Sequence, residues 1–542
     1  MDEYLQRKEI VQERRIFSFV KFFLFVSSHD KEINKAIGHE RRIAAITNAC
    51  AEFDHWDTEK HNVELQLGCS TVLCLVLSMT DNEDEIRMIC SAIEMIYRAS
   101  TSVVSKTFQE SPDLVPLLLK LLERCETTHK KHADVSILNI TKVLLYFSRV
   151  AEIRGNLARH HGLLDALNRV AISNLSTDCR ILRMRVIANL CNAEENKVMI
   201  MSHEGLFGSI LKIAALDLSE KAREYASASM MDLASSTETQ VSMANHDKLL
   251  STLVKLAVTD DKEETREYAV TAMQNLAFSK ENRERLVVFS GGVVVEALKK
   301  TLSVDTNEKS RRRAAGALTN LACEETAELM SSHSELIEIL SRVTTQDKND
   351  DVQKRACLAL TKIVSSCSTD SKSFKSTMNA LVMAATSSNS TGIPAVFRVK
   401  ARNASRRAEM AQIPGLVETL ADMSTSKGYT SKDRDNATRA IMHLTNESEN
   451  RKIMCNKVVL KALLEASCLE GSENTETRDS AIVAIERLAT EVSNRQYMAR
   501  HDGLLVAIAK ATERESKSEL AGEKNSQPRL AKQLLMSLLL AM

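Results

Sequence analysis

The chain has 542 residues, with Lys+Arg and Asp+Glu both at 72, so its formal net charge is zero. That balance argues against a wholesale nucleic-acid binder or a globally basic membrane-surface protein, though not against local patches. Gly (15) and Pro (5) together are 20 of 542, far below a usual combined share of about 12%, so a chain rich in hairpins and sheet is excluded and a long, soluble, nearly all-helical body is expected.

From the N-terminus, the charged opening MDEYLQRKEIVQ does not read as a secretory signal. Residues 16–27 hold five of the thirteen Phe but contain Lys21 and are half the length of a membrane span. Residues 1–38 are therefore expected to be a helical cap over the end of a core, with a partner or membrane-surface anchor as the alternative. The twelve Cys are scattered, with no C-x-x-C pair, which suits a reducing compartment. The nearest thing to a metal cluster, Cys125, His129 and His132, has no second half and reads as a polar helix end.

From residue 39 to 542 one pattern recurs, A-x-x-A-(L/M/I)-x-(N/x)-L. It stands as AVTAMQNL at 269–276, AAGALTNL at 314–321 and ASASMMDL at 226–233, with weaker copies at 42–49, 89–96, 183–190, 356–363, 392–399, 437–444 and 481–488 and a loose one ending at Phe147. Ten intervals between residues 49 and 488 sum to 439, a mean near 44, which falls in the range of helical solenoid repeats. Gly162, Gly205, Gly292, Gly415 and Gly503 follow the pattern's last position by 15 or 16 residues, and each precedes an apolar run. Short charged segments such as ENRERLV, ENRKIMC and SNRQYMA stand before several of these glycines. Each unit thus reads as a short helix, a turn, a second helix and a third helix carrying the pattern.

These features, with the pairs Asn282–Arg283, Asn450–Arg451 and Asn494–Arg495, resemble the armadillo-repeat family. The resemblance implies an all-α, right-handed α-α superhelix of about eleven units, and a concave groove in which Asn side chains hold the backbone of an extended partner.

Counting 100° per residue from the N of the pattern puts the apolar columns between about 60° and 160° and the −4 and −7 positions at about −40° and +20°. These three columns form a stripe that the core does not need. In the repeats from residue 183 onward it contains Arg185, Asn189, Tyr225, Asp232, Tyr268, Thr271, Asn275, Arg313, Asn320, Arg355, Lys362, Arg398, Arg439, His443 and Arg487. Over all eleven copies nine of the 33 positions are Lys or Arg and one, Asp232, is acidic. A basic groove for an acidic or phosphorylated extended segment is the reading these columns give. Tyr225 and Tyr268 would make a flatter, hydrogen-bonding central section. Import carriers of this fold pair a Trp with the Asn, four residues earlier. Here Ala44, Arg185, Thr271 and Gly316 hold such places and the single Trp56 lies outside the columns, so a catenin-like grip on acidic partners fits better.

Other recurring residues read as structural. Arg180, Arg223, Arg266, Arg311, Arg434 and Arg478 stand about 180° from the N column and are expected in inter-repeat packing and ion pairs. His160, His161, His203, His246, His333 and His501 fall at the turn before the second helix, too far apart to share an ion. No G-x-S-x-G, P-loop or dinucleotide motif is present. The expectation is a non-enzymatic scaffold without cofactor or metal, cytoplasmic or nuclear, with a protein partner and neither nucleic acid nor a transmembrane segment. A folding or assembly helper is the alternative. The Ser-rich stretch 364–392, with the shortest interval and Pro394 beyond it, predicts a truncated unit and a hinge. Segment 513–528 is expected to loop out.

Overall fold

The computed structural model describes residues 83–520 and isolated positions between 67 and 77, apart from residues 100, 128–132, 170–174, 334, 368–373, 386–391, 472–473 and 502. The Phe-rich segment, His129 and His132 lie outside the described residues. Helices and turns make up the described chain, with no strand among them. It separates into two compact units, one ending at Leu276 and the other starting at Ala277.

In each unit the third helices stack side by side. The first unit stacks Glu83–Ala99, Ala133–Arg149, Thr177–Cys191, Glu220–Ala234 and Glu263–Leu276; the second contains Glu308–Leu321, Asp350–Ser366, Ile393–Ala401, Ser431–Leu444 and Thr475–Thr490. The pattern explains the stacking. Ala269, Ala272, Met273 and Leu276 are all buried, as are Ala314, Ala317, Leu318 and Leu321, and Ala437, Ala440, Ile441 and Leu444. Two alanines three residues apart leave room for a neighbouring helix to approach, and the Leu or Met beside them fills the gap. The arrangement is tight enough that Ala317→Leu is expected to cost about 1–3 kcal/mol by overpacking, read in thermal or urea unfolding.

The turn glycines are needed for their backbone angles. Gly162, Gly205, Gly415 and Gly503 all have φ of 78° to 82° at the start of the second helix, a left-handed conformation that costs an L side chain about 1–2 kcal/mol. Three described repeats have another residue there, and Lys248 and Asn456 take negative φ. Glu335, which starts Leu336–Gln346, sits at φ 64° instead. Glu335→Gly should therefore stabilise the second unit by about 1 kcal/mol, seen as a higher unfolding midpoint. The turn histidines sit where expected: the carbonyls of His160, His203, His246, His333 and His501 accept the amide three residues on. Their rings serve packing between repeats, as when His246 meets Phe207 edge-on at 5.1 Å.

Two polar clasps join successive repeats. The arginine ladder forms the first. Arg180 holds both oxygens of Asp217 (2.7 and 3.3 Å), Arg223 both of Asp260 (2.6 and 3.4 Å) and Arg311 both of Asp347 (2.8 and 3.2 Å). Each of these Asp residues ends a second helix and also accepts an amide two residues on, at Ser219, Lys262 and Asn349. The Asn-Arg pairs form the second. Asn450 Nδ2 donates to Leu444 O (3.0 Å) and to Arg407 O of the preceding repeat (2.9 Å), and Asn494 does the same with Leu488 O and Arg451 O. The following arginine caps the third helix, Arg451 through Thr445 O and Asn446 O and Arg283 through Ala277 O and Phe278 O. Those are the last carbonyls of a helix, which lack intrahelical donors.

Around 364–392 the described residues give one unit two helices, Phe374–Ala385 and Ile393–Ala401. Asp350–Ser366 touches Ile393–Ala401 far less than the other third helices of this unit touch each other. Buried Lys400 bridges them, donating to Ser365 O and Cys367 O. A hinge at this point remains our proposal. The expected loop at 513–528 is corrected in part, because the helix Leu504–Leu520 runs through its first eight residues.

Candidate binding face

The N column lies along one edge of each third-helix stack, and its side chains are half-buried or exposed. Several reach back to the previous repeat. Asn275 donates to Met231 O (3.2 Å), Lys362 to Thr319 O (3.3 Å) and Arg487 to Met442 O (2.7 Å). In each case the acceptor is the residue just before the preceding N column. Asn189 instead donates to Ser148 Oγ (2.9 Å). The column is thus braced on helix ends before any partner arrives, and Asn275 retains its Oδ1 and one N–H for a ligand.

In the first unit, Arg185 lies over the ring of Tyr225, its guanidinium carbon 5.7 Å from the centroid. Tyr225 and Tyr268 are half-buried. Asp232 is half-buried too, and burial pushes its carboxyl up to about 6 against the opposing pull of Lys197, Asn192 and Arg154. Thr271 is corrected. It is 6% exposed and donates to Glu267 O (2.8 Å), so it belongs to the helix interior and offers a partner nothing.

In the second unit Arg313 and Asn320 are half-buried, and Lys362 is exposed. The count of basic residues without acidic company is corrected here. Arg355 pairs with Asp351 at 3.1 Å, and Arg439 pairs with Asp435 at 2.9 Å and with Glu476. Lys142 of the first unit pairs likewise with Glu94 at 3.0 Å. The three-column stripe stopped one turn short. Positions −11 and −8 fall at about −20° and −80°, bringing Asp351, Asp435 and Glu476 onto the same face.

The exception is the run Arg398, His443 and Arg487. Among the described residues Arg398 and Arg487 have no carboxylate within ion-pair distance. Burial, then Arg402, Arg407, Arg487 and Arg398, push His443 down to about 4. Arg402 and Arg407 were missed from the sequence because they lie past the repeat pattern. The signal was there, five basic residues and no acid in 398–407.

Among the described residues no group of His, Cys, Asp or Glu could hold a metal ion. No single described helix is long and apolar enough to cross a membrane, although the bent pair Glu194–Ser202 and Leu206–Leu216 passes that test jointly. Burial raises the thiols of Cys90 and Cys191, which leaves them weak nucleophiles.

No family model and no curated protein matches the sequence. Solved structures do. A chain from a study of a phosphorylation switch controlling the interaction between cadherin and beta-catenin is 13% identical, with TM-score 0.56, covering 96% of this chain and 99% of that one. This is an armadillo-like repeat solenoid. An engineered protein is 18% identical over 87% of this solenoid and 98% of its own length, with TM-score 0.50. A computationally designed armadillo repeat protein for modular peptide recognition is 22% identical over 45% of this chain and 99% of its own, with TM-score 0.38.

Proposed function

We propose that this armadillo-like solenoid is a non-enzymatic protein-binding scaffold that holds an extended acidic or phosphorylated segment of a partner along its N-column groove. The observation that carries this reading is the second unit's run of N-column cations: Lys362, Arg398 and Arg487 stand on third helices with no carboxylate partner among the described residues. Backbone carbonyls hold Lys362 and Arg487 in place, so a ligand would not have to order them itself. The designed relative recognises peptides and the study of the other concerns cadherin and beta-catenin, uses of the fold that agree with this reading. Cytoplasmic or nuclear residence is part of the same proposal.

The test is charge reversal. Lys362→Glu with Arg398→Glu should weaken capture of a labelled polyglutamate peptide by about tenfold or more, because close charge pairs at interfaces couple by about 1.5 kcal/mol and upward. The wild-type affinity should fall as salt rises. Unchanged affinity would end this reading in favour of the folding-helper alternative, which expects impaired client refolding in the same variant.

A further inference from the structure

We propose that Arg398, Arg402, Arg407, His443 and Arg487 form a phosphate-recognition centre that receives the phosphorylated side chain of the bound segment. This rests on the groove reading above and names the chemistry of one place within it.

The first observation is Arg398. Its Nε is buried and, among the described residues, has no hydrogen-bond partner, and its side chain makes no ion pair with them. A buried guanidinium N–H left unmade is costly, and helix capping does not account for it. The second is the gathering around His443. Four guanidinium groups act on this one imidazole, and none of the four has a carboxylate within ion-pair distance among the described residues. That separates the place from Arg355 and Arg439, which already hold carboxylates. The third is pre-organisation. Arg407 is fixed by bonds from Nε to Ala401 O (3.0 Å) and from Nη2 to Arg402 O (2.9 Å), which leave its Nη1 open. Arg487 is fixed by Nη1 alone, which leaves its remaining donors open. Capping is the ordinary role for an arginine at the Arg407 position, and Arg283, Arg451 and Arg495 share it. Among the described residues Arg398 and Arg402 make no such bond.

A phosphomonoester suits this set better than a carboxylate. It carries nearly two charges and three strong acceptor oxygens, and planar guanidinium forks match it in pairs. The neutral His443 adds a donor without adding repulsion.

The test uses the full chain and a fluorescein-labelled heptapeptide with one phosphoserine between two glutamates, a counterpart with glutamate at the phosphoserine position, and inorganic phosphate as competitor. At physiological salt the phosphopeptide should bind about tenfold tighter than its glutamate counterpart. Arg398→Met with Arg402→Met should remove that advantage, weakening the phosphopeptide about tenfold more than the glutamate peptide, and Lys362→Met should weaken both peptides alike. Circular dichroism confirming unchanged helicity and melting would exclude misfolding. Equal affinity for the two peptides, or an advantage that survives the double variant, overturns the centre. If the glutamate peptide still binds and depends on Lys362, the groove reading stands and only the centre fails; if neither peptide binds, both fail. Inorganic phosphate binding as tightly as the phosphopeptide would also overturn a peptide-borne ligand.

Discussion

Replacing Glu126 by Ala should destabilise the first unit by about 3–5 kcal/mol, because it strands a charge that no water reaches. Arg183 has no exposed side-chain surface, and its Nη2 donates to Glu126, which also accepts from Arg169 Nε at 2.6 Å. Among the described residues its other bond is from Nη1 to Ala166 O (3.2 Å). Without the carboxylate the guanidinium stays buried and uncompensated between Leu114–Thr127 and Thr177–Cys191. Replacing both partners by apolar residues of similar shape, Glu126→Leu with Arg183→Met, should recover most of the loss, since a missing pair costs far less than a broken one. Hydrogen exchange across the two helices is the suitable measurement, because stacked repeats need not unfold in one step. A loss below about 0.5 kcal/mol, the level of an ordinary surface change, would contradict the assignment.

The second large effect is expected at Asn450. Its side chain is fully buried and serves two carbonyls on different repeats, Leu444 O and Arg407 O. Asn450→Ala should cost about 2–4 kcal/mol, since each buried carbonyl left unpaired forfeits about 1–3 kcal/mol. Protection should fall both in its own repeat and in the one before it. A loss confined to Ser448–Met454 would mean that the clasp does not couple neighbours. The recurrence of this geometry at Asn196, whose Nδ2 reaches Leu190 O and Arg154 O, explains physically why an Asn stands at this place in successive units.

Much of the fold was legible because the repeat states each constraint several times. The alanine and leucine columns, the glycine turns and the arginine ladder recur at fixed spacing; the structure uses the first two as their places imply and the ladder in part, with Arg180, Arg223 and Arg311 pairing across repeats while Arg434 and Arg478 bond carbonyls just before their own helices. Glu335 was not legible, since nothing in its neighbourhood announces a left-handed turn without glycine. The face we propose for binding was legible as one stripe of the helix and less so in charge. Placing the N, −4 and −7 columns on one stripe was sound geometry, but a side chain as long as Arg355 or Arg439 reaches a full turn along its helix, beyond the columns counted, and finds Asp351 or Asp435. Thr271 was misplaced for the opposite reason: a short β-branched side chain bonds its own helix four residues back and never reaches the face. Arg402 and Arg407 escaped because they belong to the connection after a third helix, where the pattern says nothing. Burial of Arg398 Nε is a matter of packing, which no single column reveals.

The central claim is that the N-column face of the second unit is where a partner segment lies. Site-specific photo-cross-linking tests it most directly. Leu358, exposed in the −4 column, and Val492, exposed on a first helix, are each replaced in turn by a photoreactive phenylalanine derivative in the full chain. The labelled phosphopeptide should cross-link at position 358 and be lost at high salt, with no cross-link at position 492. Cross-linking at 492 but not at 358 would contradict the account.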